Sequence, residues 1–226
     1  MLDGANLWDK PLKFAVSFAV YFATLALVAD RLSETARHGW VMRGAVAAAI
    51  FAAVAEMGYI FVMAGRGMRS HFNDTAPIYQ IFYSLMGLGA LMLVLAVAAT
   101  GVVAFRDKAA RLGPGLRLGV LVGFTGSTVL TLITAGLLAN NAGHFVGVPS
   151  PGAAMLPLFG WSAEVGDLRP AHFLALHAMQ AIPLVGMLAD RRGVSARIVL
   201  PAALIYLVLV MAVFAQALMG LPLIRL

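Results

Sequence analysis

Six long apolar stretches, nearly free of charge, run through this chain and decide what it can fold into. They cover 13–29, 41–64, 78–105, 116–138, 171–189 and 198–221. Each is near the ~20 residues that cross a hydrocarbon core as an α-helix. In lipid every backbone N–H and C=O must be paired within the protein, so only helices and closed barrels can span. The runs are continuous rather than alternating, which selects helices. The sequence therefore predicts an all-α polytopic membrane protein. Its six transmembrane helices form one bundle and a single domain over 1–226, with a long interfacial loop between helices 4 and 5.

Composition agrees. Only 12% of the residues are charged and 62% are hydrophobic, whereas a soluble domain carries about 25% charged residues. With so little polar surface, the bilayer itself is the first expected partner. Cysteine is absent, which excludes disulfides, thiolate catalysis and Cys-ligated zinc or iron–sulfur centres. The net charge of +6 comes from residues scattered over short loops. That pattern argues against nucleic acid, which needs a basic stripe, and for control of membrane orientation.

Counting Lys and Arg near span ends gives ten on one side (Arg31, Arg37, Arg43, Arg106, Lys108, Arg111, Arg117, Arg191, Arg192, Arg197). The other side has six (Lys10, Lys13, Arg66, Arg69, Arg169, Arg225). The excess places the first group in the cytoplasm. Both termini and the loops 65–77 and 139–170 are then expected on the outer, periplasmic side of a bacterial inner membrane. The start, MLDGANLWDKPLK, is acidic before it is basic, so the first span is expected to be retained.

Local signals mark boundaries. Asp74 and Pro77 suit the start of the third span, and Arg169-Pro170 the start of the fifth. Gly115, Gly119 and Gly123, four residues apart, predict close approach of the fourth span to a neighbour. Trp8, Trp40 and Trp161 read as interfacial anchors. The segment 139–170, rich in Gly and Pro yet apolar, reads as a lid lying along the membrane surface.

The chemistry gathers on the expected outer side. Glu56 sits alone in AVAAAIFAAVAEMGYIFVMAG, and a carboxylate inside a hydrocarbon-facing segment is costly enough to mark a functional site. Four histidines share its side: His71, His144, His172 and His177. Tyr59, Tyr83 and Gln180 fall in the outer halves of their spans, with Asn140, Asn141, Asp167 and Arg169 beside the lid. His172 and His177 lie about 140° apart around a helix, so both cannot point at one centre.

Three readings explain this set. The leading one is a redox-type membrane protein holding one haem b or a transition metal ion (iron, copper or zinc). The four histidines are then ligand candidates, and Glu56 is a ligand or catalytic proton acceptor. Tyr59, Tyr83, Gln180, Asn140 and Asn141 would line the cofactor pocket, and Asp167 and Arg169 would order the lid. Other membrane subunits or a quinol would be partners. The second reading is proton-coupled binding or transport of a small molecule, with Glu56 and His177 as the relay. The third is a non-catalytic structural or assembly subunit in which the same groups lock helix packing.

Overall fold

The computed structural model describes residues 6–73, 75–141 and 143–225. Its elements run α1 (Asp9–Ala29), α2 (Glu34–Arg37), α3 (Trp40–Gly65), α4 (Pro77–Arg106), α5 (Pro114–Asn140), β1 (Phe145–Val146), β2 (Gly166–Asp167), α6 (Arg169–Arg191), a 3-10 turn (Ala196–Ile198) and α7 (Val199–Leu218). Six helices, the last counted as Ala196–Leu218, are long and apolar enough to cross a membrane. The expected polytopic membrane protein is therefore what forms. Helices α1 and α6 are longer than their apolar runs because each continues through polar residues, Asp9 and Lys10 in one, Arg169 and Arg191 in the other. Large apolar side chains such as Leu27, Phe51, Val54 and Ile205 stand exposed, as lipid-facing surfaces require.

The helices fall into two compact units, Met1–Leu112 and Gly113–Leu226. In the first, α1, α3 and α4 pack around Ala49, Ala52, Ala53, Leu93 and Ala96, with Phe18, Tyr21 and Phe22 of α1 closing the cluster. The Tyr21 hydroxyl donates to the Leu93 carbonyl at 2.8 Å. At one end of this unit the backbone N–H of Ser33 donates to Asp107 Oδ2 at 2.7 Å, and that of Arg111 to the Arg31 carbonyl at 2.7 Å. These bonds tie the 30–39 turn to the end of α4. Helix α3 stops at a left-handed glycine, Gly67 with φ 67°, where Met68 N–H reaches back to the Met63 carbonyl at 2.9 Å. Pro77 opens α4 as expected. The cap proposed for Asp74 lies outside the described residues.

In the second unit α5 and α6 come together backbone to backbone. A Cβ on Gly119 would stand 2.9 Å from Pro183 Cα, and one on Gly123 2.7 Å from Pro183 Cδ. The expected neighbour of the glycine-spaced span is thus α6, and Pro183 belongs to that packing surface. Asp190, near the end of α6, accepts from the N–H groups of Gly115 at 2.7 Å and Leu116 at 2.8 Å. It caps the start of α5, leaving no room for a side chain at Gly113. Helix α7 packs on α6 through Leu168, Ala171, Val213, Phe214 and Ala217. The Tyr206 hydroxyl donates to the Leu174 carbonyl at 2.8 Å.

Candidate functional site

Each unit has its own polar centre, built by its own elements. In the first, Glu56 lies on the side of α3 that meets α4. Its side chain is 7% exposed, and its Cγ lies 3.9 Å from where Gly89 would carry a Cβ. The charge it interacts with is the ammonium of Lys10, at the start of α1. Lys10 Nζ in turn donates to His71 Nδ1 at 2.9 Å, and Ser70 Oγ lies 3.2 Å from the same nitrogen. An ammonium can only donate, so His71 Nδ1 is the acceptor and its ring proton sits on Nε2. The imidazole is walled by aromatic rings, Phe14 at 6.0 Å and Tyr83 edge-on at 5.8 Å. Lys10 also stands 5.9 Å from the Phe14 centroid. Tyr59 is farther along α3 and packs on Phe82, ring centroids 5.2 Å apart.

In the sequence Lys10 is only a flanking charge of the first span. The helix that carries it starts earlier than its apolar run. That earlier start turns a loop cation into part of the helical unit, alongside Glu56. The available signal was composition: the leading edge of the first span holds an acidic and a basic residue, Asp9 and Lys10, before a proline, Pro11, as the fifth holds Asp167 and Arg169 before Pro170.

In the second unit the polar groups mostly bond to backbone. The Asp167 carboxylate, 2% exposed, accepts from Ser162 N–H at 2.9 Å and Arg169 N–H at 3.0 Å. The Arg169 guanidinium binds it in a fork, Nε to Oδ1 at 2.9 Å and Nη2 to Oδ2 at 2.6 Å, and reaches the Gly160 carbonyl at 2.6 Å. The same guanidinium sits 5.3 Å over the Phe145 ring. Together with the antiparallel pairing of β1 and β2, this fixes the 141–168 segment to the start of α6. Asn141 adds two bonds, from Nδ2 to the Gly143 and Phe145 carbonyls, both 2.9 Å. Asn140 bonds back to Gly136 at 2.7 Å.

The histidines of this unit have separate partners. His172 Nδ1 is 3.2 Å from Thr134 Oγ1, whose own proton goes to the Leu130 carbonyl at 3.0 Å. His172 therefore donates from Nδ1. His177 Nδ1 meets Gln180 Oε1 at 3.2 Å, and its ring lies 4.2 Å from that of Phe173. Phe173 in turn contacts the stacked pair Phe159–Trp161 of the loop. The His144 ring stands edge-on to Phe145, and its carbonyl accepts from Leu168 N–H at 3.0 Å. His172 and His177 point to different partners, as their spacing requires.

Among the described residues no three His, Cys, Asp or Glu side chains gather closely enough to share a metal ion. No family model matches the chain, and no curated protein or solved structure matches it either.

Proposed function

We propose that this membrane protein binds a small solute together with a proton, at the Lys10, Glu56 and His71 cluster of its first unit. One observation carries the reading. A carboxylate within a membrane-length helix, 7% exposed, lies within electrostatic reach of an ammonium that is itself hydrogen-bonded to an imidazole. Ionisable groups are costly to hold there and mark functional sites by default.

Lys10 is the link. Its charge balances Glu56, and one of its N–H groups fills the lone pair of His71 Nδ1. A proton arriving at that nitrogen takes the lone pair, breaks the hydrogen bond and sets two positive charges side by side. The ammonium then turns toward the carboxylate. The cluster thus has two arrangements that differ by one proton, and a solute preferring one of them binds with proton uptake or release. Lys10 from α1 bonds His71, Tyr83 from α4 stands edge-on to the same imidazole, and Glu56 from α3 interacts with the Lys10 charge.

Infrared difference spectroscopy of the purified chain across pH tests this without knowledge of the solute. A carboxylate band that responds to pH in the native chain and is missing from a folded Glu56→Gln variant supports the reading. A pH-silent carboxylate in the native chain, with Glu56→Gln unable to fold, assigns the cluster to packing instead. The haem or metal reading makes a different forecast, a coloured or metal-bearing sample by absorption and elemental analysis.

A further inference from the structure

We infer that the groove between α3 and α4, at the end bearing Arg106 and Lys108, seats one anionic phospholipid. An acyl chain would lie along the groove, and its phosphate would sit on the two cations. The inference is independent of the Lys10 cluster, which lies at the opposite end of the same helices.

Two hollows of about 320 and 880 Å³ adjoin there, sharing Val41 and Ala99 in their walls. Both are shallow and open outward, as a groove that holds a lipid chain against the bilayer must be. The inner hollow is walled by Gly44 and Ala48 of α3 and Ala96 and Ala99 of α4. Small side chains create it; where Gly44 would carry a Cβ there is nothing within 4 Å. From Met92 to Val103 the α4 wall runs roughly 16 Å at 1.5 Å per residue. That matches one leaflet, half of the ~30 Å hydrocarbon core. A single acyl chain from one side of the membrane fits this length, whereas a spanning partner helix would need a groove twice as long.

The outer hollow changes character. Arg106 and Lys108 stand exposed on its rim. The intervening Asp107 is half-buried and turned to backbone donors, accepting from Ser33 N–H at 2.7 Å and Ala109 N–H at 3.1 Å. Cations are thus offered outward where the apolar wall ends, which is the charge pattern an anionic headgroup recognises. Trp40, 86% exposed, stands on the wall of the inner hollow at the start of α3, the place interfacial tryptophans take at headgroup level.

Trp40 is also the probe. The full chain, with Trp8→Phe and Trp161→Phe as background, would be reconstituted in phosphatidylcholine vesicles. A small share of brominated phosphatidylglycerol or brominated phosphatidylcholine would then be added, and Trp40 emission read. The phosphatidylglycerol should quench up to about thirtyfold more effectively per lipid, the size expected when two surface cations each favour an anionic lipid by about 1 kcal/mol. Arg106→Gln with Lys108→Gln should bring the two lipids to parity. Ala99→Leu, which fills the groove and keeps the charges, should weaken quenching by both. Arg191→Gln with Arg192→Gln, cations of the second unit, should leave the preference intact. Equal quenching by both lipids in the native chain overturns the proposal, and so does a preference that survives the Arg106 and Lys108 exchange. Absent quenching together with a dimer in solution overturns it too, assigning the groove to a second copy.

Discussion

The two units are each three spans, yet they are held together in different ways. Their spans are 11, 33 and 39% buried in the first unit and 50, 39 and 22% in the second, so the difference centres on α5. The glycines show why. Gly115, Gly119, Gly123 and Gly186 stand where any side chain would strike the partner helix. Gly44, Gly58 and Gly87 of the first unit have open space instead, and Gly89 meets only ordinary contact. Four-residue spacing returns glycine to one face of a helix, so the backbone itself becomes the packing surface. Glycines without that spacing leave a helix loosely covered. The polar groups divide the same way. Asp167, Arg169 and Asp190 bond backbone and fix structure, whereas Lys10 bonds the His71 side chain and interacts by charge with Glu56. Backbone-bonded polar groups and side-chain-bonded charge thus occupy separate parts of the chain, and the proposed function draws on the less tightly packed one.

The comparison breaks most easily at Gly186. A side chain there would run into the Gly115 carbonyl, which is backbone and cannot yield. Gly186→Leu should cost about 3 kcal/mol, the upper range for overpacking, or prevent folding altogether. Gly87→Leu, into open space, should change stability by no more than ~0.5 kcal/mol. Thermal melts of both variants in one detergent check this, and equal losses would remove the distinction between the units.

Next in size is the charge cluster. Lys10→Met leaves the Glu56 carboxylate without its ammonium, and removing one member of a buried pair is costly. Lys10 is only partly buried, so the loss should be roughly 2 kcal/mol rather than the full range for a deeply buried pair. Adding Glu56→Gln should restore most of it. A double variant no more stable than Lys10→Met alone would show that the two residues act separately. In the second unit, Asp190→Ala removes two bonds to helix-start N–H groups and should cost about 1–2 kcal/mol, with no second change that repairs it.

The spans were legible because hydrocarbon thickness leaves few solutions, and the glycine spacing was legible because it is a face-to-face code within one helix. The code did not name its partner, since Gly186 and Pro183 carry no matching repeat on α6. Asp190 escaped notice beside Arg191 and Arg192, where a carboxylate looks like a solvated loop charge. Its role appears only when the end of α6 is brought to the start of α5. Glu56 was legible through its cost, but its neighbour Lys10 was not, because that pairing is tertiary and the lysine lies outside the apolar run. Composition alone marks the 139–170 loop as a lid. Its internal bonds, such as the Asp167 fork with Arg169, depend on side-chain geometry that composition cannot carry.

The smallest effect sharpens the comparison by removing one candidate explanation. Each unit has one tyrosine whose hydroxyl donates to a backbone carbonyl of a neighbouring helix at 2.8 Å, Tyr21 to Leu93 and Tyr206 to Leu174. If the units differ only in glycine contacts and in charge, these two bonds should contribute alike. Tyr21→Phe and Tyr206→Phe should each lower stability by about 0.5–1.5 kcal/mol, the usual net value of one hydrogen bond. A markedly larger loss at Tyr206 would mean that the bond gains strength from the close-packed helices around it. The second unit's rigidity would then be cooperative rather than a property of the glycine face alone. Equal small losses place the difference where the glycines put it, in how near two backbones can come.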